Sequence, residues 1–368
     1  MKARTSLVVL MSLPRPDLSG GPSTHLPLLR AGLEAAGVRI IPFNYTRRKD
    51  NETSLEKIYG RSIDLLRLVY LILRCRPDLV HHNSAFDLGS LVRDGMLCAA
   101  ARLLRTPVFI KIHGSHRTAF GRLAIFKRAT RHLILNLSVD LGVLSAAEKE
   151  EFVVHWPQLR DRIHVVKNII RQNFIQAEVK DHGKLMVFFT SRFVKEKGMF
   201  DLLDATPAIL SAYPHCRFSF IGGGPDVAAF TQKVEEMGLN HSITYLSNRS
   251  FLELIEIYRE GGIFVFPSHF PEGMPMALVE AMAVGLLAIS SAVRFVRDVP
   301  SFTQNPMLLL NEANGLSNQI ALSVANFLGN PGLRKKVGEM NKSFVAQYSQ
   351  QAVALDFMTL YGKLIGRS

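Results

Sequence analysis

Two glutamates, Glu272 and Glu280, lie in the stretch FPEGMPMALVEAMAVG at residues 270–285. The second is embedded in a run that reads as a buried helix, where a carboxylate without a partner is costly. An ionised carboxylate only accepts hydrogen bonds and has room for two hydroxyls, so a vicinal diol is a ligand that would satisfy it. Upstream, TSRFVKEKG sets Arg192 and Lys197 after an apolar run, with Gly198 opening the next helix. FIGGGPD sets Gly222, Gly223 and Gly224 after a second run. FPSHFPEGMP sets Ser268, Glu272 and Gly273 after a third, and Met274 and Pro275 lead into a helix. Two cations, a glycine turn and a helix N-terminus on one edge are how proteins hold a diphosphate. Each signal alone has an ordinary explanation: solvated surface charges, a tight turn, or a salt bridge from Glu280 to a base on a helix flank. Their combination argues against those explanations.

These groups can act together only if strand ends bring them to one edge. The second half has apolar runs at 185–193, 217–224, 243–247 and 263–268, separated by helical patterns, and the first half has them at 6–11, 39–43, 77–83, 106–114 and 141–145. Strands that read as continuous apolar runs between helices predict parallel sheets covered on both faces. Two such series predict two doubly wound α/β domains, and 368 residues suit two domains. In such open sheets ligands sit beyond the carboxyl ends of the strands.

Composition bounds the partners. Of the residues, 48% are hydrophobic and 20% charged, a globular balance. No run has the length of a membrane-spanning helix, and the basic start followed by a short apolar run reads as a first buried strand rather than a leader. Three widely spaced cysteines, Cys75, Cys98 and Cys216, fit neither a disulfide framework nor a zinc site, so a reducing cytoplasm is the expected home. The formal net charge is +13, and residues 1–175 carry all of it, with 27 Lys and Arg against 14 Asp and Glu. The basic half is expected to face something anionic: nucleic acid, an acidic sugar, or the inner membrane leaflet.

The second half resembles the retaining glycosyltransferases of the GT-B fold, specifically family 4, the glycosyl transferases group 1 type. RFVKEKG, FIGGGPD and FPSHFPEGMPMALVEAMAVG carry the resemblance, and Glu272 and Glu280 have the seven-residue spacing of that family's E-x7-E element. The resemblance implies two Rossmann-like domains facing across a cleft: residues 1–172 on the acceptor side, 173–348 binding a nucleotide sugar, and a helix at 349–368 crossing back onto the first domain. It implies that Glu272 contacts hydroxyls of the donor sugar, Glu280 the ribose diol, and Arg192 and Lys197 the diphosphate, with Gly222, Gly224, Gly273, Met274 and Pro275 around the donor. The donor would be a UDP- or GDP-sugar, used as substrate, and the acceptor a saccharide or lipid-linked saccharide in cell-surface polysaccharide synthesis. No metal or other cofactor is expected, because the chain has no D-x-D in a suitable loop and no His/Cys cluster.

The first half matches less closely. Gly20 and Gly21, in LSGGPSTHL, stand where the family has a glycine-rich loop, and His113 stands where it commonly has a histidine facing the donor sugar. His81, His82, Asn83 and Ser84 end another strand and are candidates for the acceptor side. After the glutamates the chain departs from the family: GLLAISSAVRFVRDV lacks the usual proline and glycine pair, placing Ser290, Ser291 and Arg294 in a loop expected beside the donor. Residues 116–133 set Arg117, Arg122, Lys127, Arg128 and Arg131 among apolar residues, a pattern equally suited to an anionic membrane surface and to a solvated core helix; residues 59–76 have the same character. Two other readings stay open. One is a nucleotide-sugar-binding relative without transfer, epimerase-like or inactive. The other is a basic nucleic-acid binder, for which no module is present and which is therefore not expected.

Overall fold

The structure, a computed structural model, describes residues 6–14, 21–44, 53–86, 90–113, 135–137, 139–181, 183–310 and 315–366. The chain divides into two compact units, residues 1–169 with 350–368, and residues 170–349. The strands are β1 (Val8–Ser12), β2 (Arg39–Phe43), β3 (Leu79–Ser84), β4 (Val108–Ile112), β5 (Asp140–Val143), β6 (Ile163–Val165), β7 (Met186–Thr190), β8 (Arg217–Ile221), β9 (Ile243–Leu246), β10 (Ile263–Phe266), β11 (Leu287–Ser291) and β12 (Leu309–Leu310). The described α-helices are α1 (Gly21–Ala35), α2 (Ser54–Cys75), α3 (Leu91–Leu103), α4 (Ala146–His155), α5 (Gln172–Gln176), α6 (Met199–Ala212), α7 (Val227–Glu236), α8 (Phe251–Arg259), α9 (Met276–Val284), α10 (Pro300–Gln304), α11 (Leu316–Leu328), α12 (Pro331–Val345) and α13 (Gln350–Leu364).

In the first domain all strands run parallel in the order β2-β1-β3-β4-β5-β6. Successive strand side chains point to opposite faces, so both faces need cover. Leu10 of β1 packs with Phe43, Leu68, Ile72 and Val80 under α2 and α3. Its neighbours Val9 and Met11 pack on the other face with Leu26, Leu29 and Leu33 of α1 and with Val353, Phe357 and Tyr361 of α13. Helix α13 is held by the Tyr361 hydroxyl against His81 Nδ1 at 2.5 Å, a Lys167–Asp356 ion pair at 2.9 Å, and Phe357 stacked 5.6 Å from the His81 ring.

The second sheet is also parallel, ordered β12-β11-β10-β7-β8-β9. From β7 the chain winds outward through β8 and β9, then returns to the other side of β7 to begin β10. The β7/β10 boundary is therefore the topological switch point, and open sheets take ligands beyond the carboxyl ends of the strands at such a point. The segment after the glutamates is not a loop throughout. Residues 287–291 form β11, buried at every position, and Arg294–Asp298 a 3-10 turn. Its apolar start, LLAI, buries better as a strand than it could as an exposed loop.

Phe357 is 1% exposed, and truncating a buried phenylalanine typically costs about 3–5 kcal/mol. Phe357→Ala is accordingly expected to lower the first domain's stability by about 3 kcal/mol in urea unfolding. A loss below about 1 kcal/mol would show that α13 does not complete that core.

Candidate functional site

The switch point gathers the residues singled out in the second half. Beyond β7, Arg192 is exposed and has no ionic partner among the described residues. Lys197 ends a 3-10 turn and Gly198 follows in the left-handed region at φ +80°. A Cβ on Gly198 would lie 2.1 Å from the Pro267 carbonyl oxygen, so only glycine lets the β7 turn approach the end of β10 this closely. That approach puts Lys197 Nζ 2.5 Å from Glu272 Oε1 and 5.1 Å above the Phe270 ring. Gly222 and Gly224 serve the same turn. A Cβ on either would lie 1.9 Å from the Ser191 carbonyl oxygen or 2.2 Å from that of Phe193, so they let the strand end of β8 support the backbone that carries Arg192.

Glu272 is fixed on every side. The Ser268 hydroxyl donates to its Oε1 at 3.1 Å, and its backbone carbonyl accepts from the Phe295 N–H at 3.3 Å. Arg294, 2% exposed, donates to the Pro271 carbonyl at 2.8 Å. Arg294 and Ser290 were expected in a loop beside a donor. Both are instead buried, the Ser290 hydroxyl donating to the Ser291 carbonyl, and Arg294 clamps the loop that carries Glu272. Gly273, Met274 and Pro275 are buried and lead directly into α9, whose first turn has no side-chain cap.

Glu280 differs from Glu272. Six of the nine residues of α9 are buried, and Glu280 lies half-buried on the side it shares with Met276 and Ala277. Burial pushes its carboxyl up to about 7, against the opposing pull of the Arg171 guanidinium. No hydrogen bond or ion pair joins it to any described residue. Its neighbours are committed elsewhere: the Tyr258 hydroxyl donates to Thr190 Oγ1 at 2.8 Å, and Arg171 lies 4.6 Å from the centre of the Phe251 ring. Arg171 and Tyr258 carried no signal in the sequence, since only the fold brings α5 and α8 beside α9.

In the first domain, His113 follows β4, half-buried, with Nε2 2.8 Å from Asn83 Oδ1 and its ring 4.9 Å from that of His25. Burial first, then His25 and Lys111, hold its pKa well below the usual histidine value. Of the strand end 81–84, only Asn83 is partly exposed. His81, His82 and Ser84 were candidates for a substrate surface, but they face inward: His81 bonds Tyr361, and both His82 and Ser84 bond Asp94. Gly21 is the first residue of α1. Gly20 and residues 116–133 lie outside the described residues.

Residues 170–344, the second domain's sheet and helices, match the family described as "Glycosyl transferases group 1". The group 1 domain has relatives beyond its own limits. The chain is 24% identical over 260 residues to a putative teichuronic acid biosynthesis glycosyltransferase, TuaC, of Bacillus subtilis, covering 66% of this chain and 60% of that protein. It spans 52% of spore coat protein SA of the same organism, at 24% identity over 51% of this chain. It is 21% identical to alpha-monoglucosyldiacylglycerol synthase of Acholeplasma laidlawii over 95% of both chains. Anabaena HepE, solved with UDP and glucose, superposes with a TM-score of 0.71 at 15% identity, covering 97% of this chain and 100% of that one. The chain thus has the two-domain α/β fold of the GT-B class.

Glu280 has a measurable signature without any ligand. Its folded pKa of about 7 lies above the ordinary carboxylate value, so its ionisation opposes folding: the cost is absent below about pH 4 and complete above about pH 7. Each tenfold change in proton affinity is worth about 1.4 kcal/mol, and solvent at the partly exposed carboxyl removes part of that. Glu280→Gln should therefore stabilise the protein by about 2 kcal/mol at pH 8 and by little at pH 4.5. Equal effects at both pH values would mean that the carboxyl is not destabilised by burial.

Proposed function

We propose that the protein is a retaining, metal-independent glycosyltransferase of family 4, moving a sugar from a UDP- or GDP-sugar to a saccharide or lipid-linked saccharide in cell-surface polysaccharide synthesis. The observation that carries this reading is Glu280: a half-buried carboxyl whose pKa burial raises to about 7, with no hydrogen-bond partner among the described residues, on the helix that starts beside the Lys197–Glu272 pair. A ribose diol supplies two donors to such a group. Arg192, without an ionic partner among the described residues, and Lys197, already at the same edge, take the diphosphate, and the N-terminal end of α9 adds its positive dipole. These groups would do the work of a divalent ion in stabilising the departing diphosphate. Lys197 then exchanges Glu272 for phosphate oxygens, leaving the Glu272 carboxylate for sugar hydroxyls. The leaving phosphate can take the acceptor's proton on the face it departs from, which retains configuration without a protein nucleophile. His113 meets a sugar hydroxyl of the substrate. The names of TuaC and the diacylglycerol synthase support a saccharide or lipid acceptor, and HepE's UDP complex a uridine donor.

A thermal-shift panel of UDP-, GDP-, ADP- and CMP-sugars, with and without EDTA, checks the donor site. At 100 times its dissociation constant one nucleotide should stabilise the fold by about 2.7 kcal/mol. The shift should be indifferent to EDTA, weaker at pH 6 than at pH 8, and weakened at least tenfold in affinity by Glu280→Ala. A shift abolished by EDTA would contradict the metal-free site, and an undiminished shift in Glu280→Ala would contradict the role of the diol ligand.

The lipid-linked acceptor implies a membrane surface, and α2 supports one. No helix among the described residues is long and apolar enough to cross a membrane. Helix α2, started by a Thr53–Glu56 capping box, leaves Tyr59, Leu66, Tyr70 and Leu73 more than half exposed. At 100° per residue these four fall on one stripe. Arg67 and Arg74 flank it, both exposed and without acidic partners among the described residues. A stripe of this kind is suited to the boundary of an anionic bilayer. The protein should co-sediment with phosphatidylglycerol vesicles but not with phosphatidylcholine alone, and Leu66→Glu with Leu73→Glu should reduce that binding at least tenfold. Undiminished binding of the double variant would remove α2 from the contact.

A further inference from the structure

The first domain contains a group of hydrogen bonds that ends on His113, and its last links have proton directions that can be worked out atom by atom. It begins at Asp94 on α3, a fully buried carboxylate. Burial raises its pKa, but the His82 ring, Arg93 and the Ser84 hydroxyl outweigh that and hold it below the ordinary value. An ionised carboxylate only accepts, so His82 Nε2, 2.9 Å from Asp94 Oδ1, carries a proton. His82 Nδ1 lies 3.0 Å from Ser12 Oγ, which also accepts the Asn83 backbone N–H at 2.7 Å. This contact holds the Ser12 side chain beside the Asn83 backbone.

The next link decides the orientation of an amide. Asn83 Nδ2 donates to the Ser12 backbone carbonyl at 2.8 Å. A carbonyl oxygen cannot donate, so the NH2 group must face it, and Asn83 Oδ1 must face the other way. Oδ1 meets His113 Nε2 at 2.8 Å. Because Oδ1 only accepts, Nε2 must hold the proton, and a neutral ring then has its lone pair on Nδ1. Nδ1 makes no hydrogen bond with any described residue and is not among the buried atoms lacking a partner.

We propose that Asn83 is a positioning residue that fixes His113 as its Nε2–H tautomer and so makes Nδ1 an acceptor for a hydroxyl group of the substrate. The Ser12 backbone carbonyl sets the Asn83 amide, while His82, bonded to Asp94, packs against the Ser12 hydroxyl and holds that residue in place. The substrate group that Nδ1 recognises is then a donor, a sugar hydroxyl or water, and not a phosphate or carboxylate oxygen. The second part of the proposal, that a substrate hydroxyl uses Nδ1, rests on the reading of His113 given above; the tautomer itself does not.

The two can be tested apart. In uniformly 15N-labelled full-length protein at pH 7.5, with His113 assigned by its loss in His113→Gln, long-range 1H–15N correlation reports which ring nitrogen is protonated. The wild type should show a single neutral tautomer with the proton on Nε2. In Asn83→Ala the Nδ1–H form should appear at a comparable population, and Asn83→Asp, which keeps an acceptor facing Nε2, should restore the Nε2–H form. Thermal melting of each variant, run alongside, separates this from general loss of structure. A wild-type ring protonated on Nδ1, or a tautomer unchanged in Asn83→Ala, would overturn the proposal. The wild-type spectrum alone decides the first of these, even if a variant does not fold. If the tautomer is as stated but His113→Gln transfers sugar at the wild-type rate, the assignment of Asn83 stands and the substrate role of His113 falls.

Discussion

The second domain places at its switch point a half-buried carboxyl group, Glu280, to which no described residue gives a hydrogen bond. Glu280 sits half-buried on a helix whose other positions are mostly buried. Of its described neighbours, Tyr258 donates to Thr190, and Arg171, which lies over the Phe251 ring, offsets burial only in part. Proteins rarely leave such a group without use, because desolvation without a partner is a standing cost. The position of the group explains the arrangement: α9 follows the strand at the switch point, where an open sheet receives ligands.

The two glutamates divide the work by their surroundings rather than by their chemistry. Glu272 is on a loop held by Ser268 below, Arg294 behind and Lys197 in front. Its charge is compensated by that lysine. Glu280 has no such counterion at contact distance and responds to pH instead. Glycines make the difference possible, since Gly198 allows the β7 turn to touch the end of β10 and deliver Lys197. In the first domain, the Asp94–His82–Ser12 and Asn83–His113 contacts form a second ordered polar system, in which the Asn83 and His113 directions follow from carbonyl oxygens that can only accept.

Much of this was legible in the sequence because strand ends carry their own signals. Apolar runs followed by Arg192-to-Gly198, by Gly222-Gly223-Gly224 and by Ser268-to-Glu272 give both the strands and the edge on which the groups meet. The β11 strand was missed because LAISS was read for what it lacks, a proline and two glycines, rather than for its burial. The ion pair between Lys197 and Glu272 was not legible, because it spans 75 residues and depends on a single backbone contact at Gly198. For the same reason His82 and Ser84 looked like surface ligands. A strand end alternates its faces, and only the position of α3 shows that Asp94 waits on the inward side for both.

The central claim, that Glu280 is the ligand of a nucleotide's ribose, is tested most directly by pairing the residue with the hydroxyl. Calorimetric affinities of UDP and 2′-deoxy-UDP, and of GDP and 2′-deoxy-GDP, would be measured for the wild type and for Glu280→Ala. A hydrogen bond to a charged group is worth about 1.5–3 kcal/mol, roughly ten- to a hundredfold in affinity. For the nucleotide that binds, the wild type should lose at least about tenfold on removal of the hydroxyl, while Glu280→Ala should lose little. The same ratio in both proteins would contradict the account, because the hydroxyl would then be bound by something other than Glu280.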